Sequence, residues 1–189
     1  SLQLRTSLFN ETRRAIERSI GESPTAPWGY EQLSNLFLWE ERGPEALQTM
    51  RTALAILPDN ERIHTAFVRQ LGELTEAQAV AAGADPAAAL QARFDAILSA
   101  YATFRERHPE NALGFWYSAF ETFYLALGQF ETSTEVSGAG AAGFRDAERL
   151  FEACRQREPG FTDACIDYEI LCRTALGWCL YQLEEDNNA

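Results

Sequence analysis

The chain has 189 residues, 46% of them apolar, and carries 28 acidic against 16 basic side chains, a net charge of −12. That length and apolar content suffice for a buried core, whereas so acidic a balance argues against nucleic acid, whose phosphates are held by positive charge. No run approaches the 18 or so consecutive apolar residues of a membrane span, so no direct membrane insertion is expected. Every basic residue is Arg and none is Lys, as a GC-rich bacterial genome would give. Because the chain starts at Ser1 and not at Met, a removed leader, anchor or preceding domain is allowed for. The compartment stays open, with the cytoplasm favoured over a periplasmic or membrane-anchored placement.

Residues 1–22 form the first predicted element. Leu2, Phe9, Ile16 and Ile20 fall on one arc of a helical wheel, opposite Glu11, Arg14 and Arg18. This is an amphipathic helix ended by Gly21, a cap or half of a two-helix unit. Next, Tyr30, Leu33, Ser34 and Phe37 precede Gly43-Pro44, and Ala46, Met50 and Ala53 precede Pro58. Bulky residues at helical spacing, a short turn, small residues and a terminal proline describe two antiparallel helices packed large against small. The 34 residues from Pro27 to Asn60 resemble one tetratricopeptide repeat. A unit of that kind cannot bury its own apolar face and needs neighbours.

Residues 61–110 read as a second repeat. Asn60 caps a helix through His64, Phe67, Val68 and Leu71; an insertion at 73–85 follows, with Thr75-Glu-Ala-Gln78 as a capping box for a short helix ended by Gly83. Asp85-Pro86 then opens a long helix through Ile97, Tyr101 and Phe104 to Pro109. Residues 111–160 form a third repeat, with Tyr117, Phe120 and Tyr124 at bulky positions and Glu121 where a small residue is usual. Residues 129–143, rich in Ser, Thr, Gly and Ala, read as a flexible insertion. Ala147, Phe151, Cys154 and Pro159 complete the unit, a C-terminal helix spans 161–184, and 185–189 is a frayed polar tail. The resemblance covers roughly residues 27–160. It implies an all-α, right-handed α-solenoid of about three helix-turn-helix repeats with extra terminal helices.

Little in the chain suggests catalysis. His64 sits at a packing position, His108 precedes a helix-stopping proline, and neither has a nucleophile motif beside it. Gly138-Ala-Gly140-Ala-Ala-Gly143 superficially matches a dinucleotide fingerprint, but no strand precedes it, and it reads as a linker. Cys165, Cys172 and Cys179 recur every seven residues, about 10 Å apart along one helix face, too far to bridge. Cys154 is left the alternative of meeting one of them across a hairpin; the leading reading of all four is reduced, buried apolar groups, without metal-ligand spacing. No enzyme activity, cofactor or metal is expected.

The resemblance also implies a function. Each first helix of a tetratricopeptide repeat turns one arc towards a concave groove that binds peptides, and by register that arc holds Trp28, Glu31, Asn35 and Leu38. The following units add Arg62, Thr65, Arg69, Phe115, Ser118 and Thr122. Asn35 stands where some members hold a ligand's backbone or terminal carboxylate, but the basic residue of that clamp is replaced by Glu31, which argues against chaperone-tail recognition. Arg62 and Arg69 read first as solvated surface arginines, and as candidates for an acidic group. The expected role is a scaffold binding a peptide or partner protein, through the groove or the insertions, within a larger bacterial assembly. The alternatives are a self-assembling structural unit, whose terminal helices stack on copies of itself, and a regulatory module holding a small ligand near Trp28, Trp39 or Phe115.

Overall fold

The computed structural model describes residues 2–132 and 138–188, and among them all regular structure is helical, in eight α-helices and one short 3₁₀ turn. The chain divides into two compact units, Ser1–Leu74 and Thr75–Ala189.

In the first unit, α1 (Leu2–Glu22), α2 (Pro27–Trp39) and α3 (Gly43–Ile56) precede α4 (Glu61–Ala81), which contributes its residues up to Leu74. Pro27 opens α2 at the position where its missing N–H costs nothing. Tyr30 is buried and its hydroxyl donates to the Pro24 carbonyl at 2.9 Å, fixing the chain's entry into the helix. A Cβ on Gly29 would lie 2.7 Å from Ile20, so the glycine lets α1 and α2 approach closely. At the turn between α2 and α3, Glu41 adopts φ 60°, the one non-glycine with positive φ among the described residues. Gly43 then leaves room for Leu74, which would stand 2.8 Å from an added Cβ. Ala46, Met50 and Ala53 of α3 and Ile63 of α4 are fully buried. Asn60 accepts from the Ile63 amide at 3.2 Å, and the buried His64 ring donates to the Pro58 carbonyl at 2.8 Å, so this histidine is a core group with a fixed partner.

In the second unit the end of α4 is followed by α5 (Pro86–Arg107), α6 (Ala112–Thr132), α7 (Gly138–Arg157), the 3₁₀ turn Pro159–Phe161 and α8 (Thr162–Asn188). Asp85 caps α5 by accepting from the Ala88 amide at 2.9 Å. α5 lies on α6, where Tyr101 stacks on Tyr117 at 5.5 Å; α6 lies on α7, and α7 on α8. Phe123 meets Phe144 edge-on, and Phe151 stacks on Tyr168 at 4.9 Å, so the aromatic run of α6 is mostly core. Cys154, Cys165, Cys172 and Cys179 are all free thiols, buried in the same core.

Several elements differ from the sequence reading. α4 runs unbroken from Glu61 to Ala81, so the capping box at Thr75 starts no new helix. Nothing between Leu71 and Thr75 breaks a helix, because a lone Gly72 costs only about 1 kcal/mol and burial outweighs it. The flexible insertion expected at 129–143 is largely helical: α6 continues to Thr132 and α7 begins at Gly138, while residues 133–137 of that expectation lie outside the described residues. The small residues serve close packing, since a Cβ on Gly143 would stand 2.7 Å from the Cβ of Ala126, and Ala141 is buried. α8 extends beyond 184 to Asn188, through most of the tail expected to fray. The boundary between the two compact units falls at 74/75, inside α4.

Candidate functional site

Five of the ten groove residues meet in the first unit. The Glu31 side chain on α2 reaches across to Arg62 on α4, where Nη2 donates to Oε2 at 2.7 Å and Nε to Oε1, a bidentate pair. The carboxylate is nearly buried and the guanidinium stands over it towards solvent. The hydrogen bonds that Arg62 donates to Glu31 raise its pKa, but an exposed, permanently charged arginine gains little stability from that. Asn35 lies one turn beyond Glu31, and Thr65 and Arg69 lie one and two turns beyond Arg62. Together with Glu61, Ala66 and Gln70 they line a cleft of about 430 Å³.

The floor of this cleft is a buried polar bond. The Ser34 hydroxyl donates to Gln70 Oε1 at 2.6 Å and stands 3.1 Å from the Ala46 carbonyl, and both side chains are fully buried. That bond ties α2 to α4 and sets the spacing of the cleft walls. Its sequence signal is a glutamine set among Phe67, Val68 and Leu71, where the helical face is otherwise apolar. The sequence reading does not single out Gln70, Glu61 or Ala66.

The charges of the cleft are unequal in what they offer. Arg62 is ion-paired with Glu31, so its charge is already taken up within the wall of the cleft. Arg69 has neither an ion pair nor a hydrogen bond among the described residues, and Asn35 likewise keeps its amide uncommitted. One guanidinium and one amide thus face the same opening. An amide both donates to and accepts from an extended backbone, and a guanidinium binds a carboxylate through two parallel N–H groups.

The remaining candidates are placed elsewhere. Trp28 is more than half exposed and Leu38 is partly buried, and neither lines the cleft. Phe115, Ser118 and Thr122 belong to the second unit, where they serve packing. The Phe115 ring lies under the guanidiniums of Arg157 at 3.7 Å and Arg105 at 5.7 Å. Ser118 is fully buried, donating to the Gly114 carbonyl at 2.7 Å and accepting from Arg105, and Thr122 donates to the Ser118 carbonyl. A side chain so enclosed cannot meet a partner, which corrects the groove expectation at Ser118. Burial of Arg105 lowers its pKa, in keeping with a cation committed to the interior. Among the described residues no cluster of His, Cys, Asp or Glu is placed to hold a metal, and no helix is long and apolar enough to cross a membrane.

No family model, curated protein or solved structure matches this chain.

Proposed function

We propose that the protein is an interaction module of the tetratricopeptide-repeat kind, whose helical pairs form an α-solenoid and whose α2–α4 cleft holds an extended acidic segment of a partner protein. The observation that carries this reading is the pairing of an uncommitted amide, Asn35, with an uncommitted guanidinium, Arg69, in one solvent-facing cleft. Arg69 takes a side-chain or terminal carboxylate of the ligand. Asn35 holds its backbone, and the Glu31–Arg62 pair keeps the wall in place. An apolar small ligand fits less well, because Trp28 and Trp39 are each more than half exposed and Phe115 is covered by arginines.

The test is selection of random peptides on the full chain, followed by fluorescence anisotropy of the synthesised winners. Losing a charge-assisted hydrogen bond costs about 1.5–3 kcal/mol, so Arg69→Glu should weaken binding by roughly 10- to 150-fold. Trp28→Ala should leave it unchanged. Peptides that lack acidic groups, or that bind Arg69→Glu as well as wild type, would sink the reading.

A further inference from the structure

α7 and α8 pack on each other as the two arms of a helical hairpin, joined through the 3₁₀ turn Pro159–Phe161. Three side-chain contacts give their register. Arg155 Nε donates to Glu169 at 2.8 Å, Phe151 stacks on Tyr168 at 4.9 Å, and Arg173 Nε donates to Glu148 at 2.6 Å. Each step back along α7 is matched by a step forward along α8, as antiparallel packing requires. On that register Cys154 comes opposite Cys165, whereas Cys172 comes near Ala147 and Cys179 near Ala141. The direct contact agrees: the Cys154 thiol donates a hydrogen bond to the Cys165 sulfur, which also faces the backbone amide of Arg155. Both cysteines are free and fully buried.

We propose that Cys154 and Cys165 are a dithiol site that small-molecule disulfides oxidise to an intramolecular disulfide, stapling the α7–α8 hairpin. Helix geometry permits the bond. Packed helix axes lie about 8–10 Å apart and each Cα about 2.3 Å from its axis, so directly facing Cα atoms stand about 3.5–5.5 Å apart. A disulfide spans about 4.4–6.8 Å between Cα atoms. Neither sulfur has a rival partner. Cys172 lies seven residues beyond Cys165, about 10 Å along the same helix, out of bonding range.

The chemistry is two successive thiol–disulfide exchanges. One protein thiolate attacks a sulfur of oxidised glutathione, forming a mixed disulfide and expelling one glutathione thiolate. The second protein thiolate attacks the protein sulfur of that mixed disulfide and expels the other glutathione. Two protein thiols thus give up two protons and two electrons, and one oxidised glutathione leaves as two thiols. Burial keeps both native thiols protonated and out of reach, so exchange runs in chains whose hairpin is open. Packing of α7 on α8 then selects the partner. In a reducing compartment the pair stays a dithiol, and in an oxidising one it closes.

The test is refolding of the denatured, reduced full chain in oxidised and reduced glutathione, followed by alkylation, mass spectrometry and peptide mapping. The mass should fall by about 2 Da before alkylation, with Cys154 joined to Cys165 and the other two cysteines alkylated. Cys172→Ala/Cys179→Ala should form the same bond as wild type, and Cys154→Ala should not form it. In denaturant the pairing should be mixed, with the shorter loops 165–172 and 172–179 among the products. The bond closes a loop of about 12 residues, so it should raise the folding equilibrium constant by roughly 100-fold in urea unfolding, and reduction should remove the gain. A refolded chain that keeps all four thiols in oxidised glutathione would overturn the proposal. So would a bond that includes Cys172 or Cys179, or an oxidised chain less stable than the reduced one. The pair belongs to the second unit and the peptide cleft to the first, so the two proposals fail separately.

Discussion

Gly143→Ala should destabilise the protein although the substitution usually favours a helix. In an exposed helix interior it gains about 1 kcal/mol, because alanine loses less backbone entropy on folding. Position 143 is different: an added Cβ would lie 2.7 Å from the Cβ of Ala126 and 3.6 Å from its Cα, closer than methyl groups tolerate. The neighbour on the second helix is β-carbon and backbone, with no flexible side chain to swing away, so α6 and α7 must separate. Overpacking of that kind costs about 1–3 kcal/mol, which cancels the gain or leaves a net loss of up to about 2 kcal/mol. Gly128, on the same helix as Ala126, has no atom within 4 Å of an added Cβ. Gly128→Ala should therefore stabilise by up to about 1 kcal/mol. Urea unfolding followed by circular dichroism separates the two signs. The double variant Gly143→Ala/Ala126→Gly should recover most of the overpacking loss, since it removes the opposing methyl. If Gly143→Ala stabilises as Gly128→Ala does, the small residues do not form a close seam and the linker reading of that segment returns.

Three further outcomes follow from particular residues. Burial raises the carboxyl pKa of Glu121, an effect that Arg93 partly offsets. A raised folded-state pKa gives stability that is complete below the unfolded value and is lost as pH rises through the folded one. Glu121→Gln should thus gain relative to wild type between acidic and neutral pH, and thermal melts across that range should show the gap widening upwards. Replacing Glu41, held at φ 60°, with glycine should stabilise by about 1 kcal/mol, measurable as a higher denaturant midpoint. Burial pushes all four thiols up, Cys172 to about 12 and Cys154 further still. A disulfide reagent at pH 8 should therefore label none of them until denaturant is added, and stability should fall at alkaline pH as the thiols ionise.

The sequence makes some parts of this molecule legible and hides others for physical reasons. The hairpin of α2 and α3 is readable because its turn and its end carry Gly43-Pro44 and Pro58, and because Ala46, Met50 and Ala53 repeat at helical spacing. Such signals are local. The seam at Gly143 is not local: the same glycines and alanines describe a linker unless Ala126 lies opposite. The capping box at Thr75 is likewise ambiguous, since nothing in those four residues says whether the helix before them has ended.

The site divides in the same way. Glu31 and Asn35, and Arg62, Thr65 and Arg69, recur at one- and two-turn spacings on two helices that meet, so register alone gathers them. Register cannot say that Glu31 takes up the charge of Arg62, nor that Gln70 is buried beneath both. At Phe115 and Ser118 it fails because the arginines that cover them come from α5 and α7.

The central claim is that Asn35 and Arg69 receive an acidic peptide. The most direct measurement is nuclear magnetic resonance of the isotope-labelled full chain, titrated with a selected peptide, following the Arg69 guanidinium and Asn35 side-chain amide signals. The account predicts saturable shifts of both at the peptide's dissociation constant, with the Glu31–Arg62 signals moving less and those of Phe115 and Thr122 unmoved. Binding that shifts resonances elsewhere and leaves Asn35 and Arg69 still would contradict it.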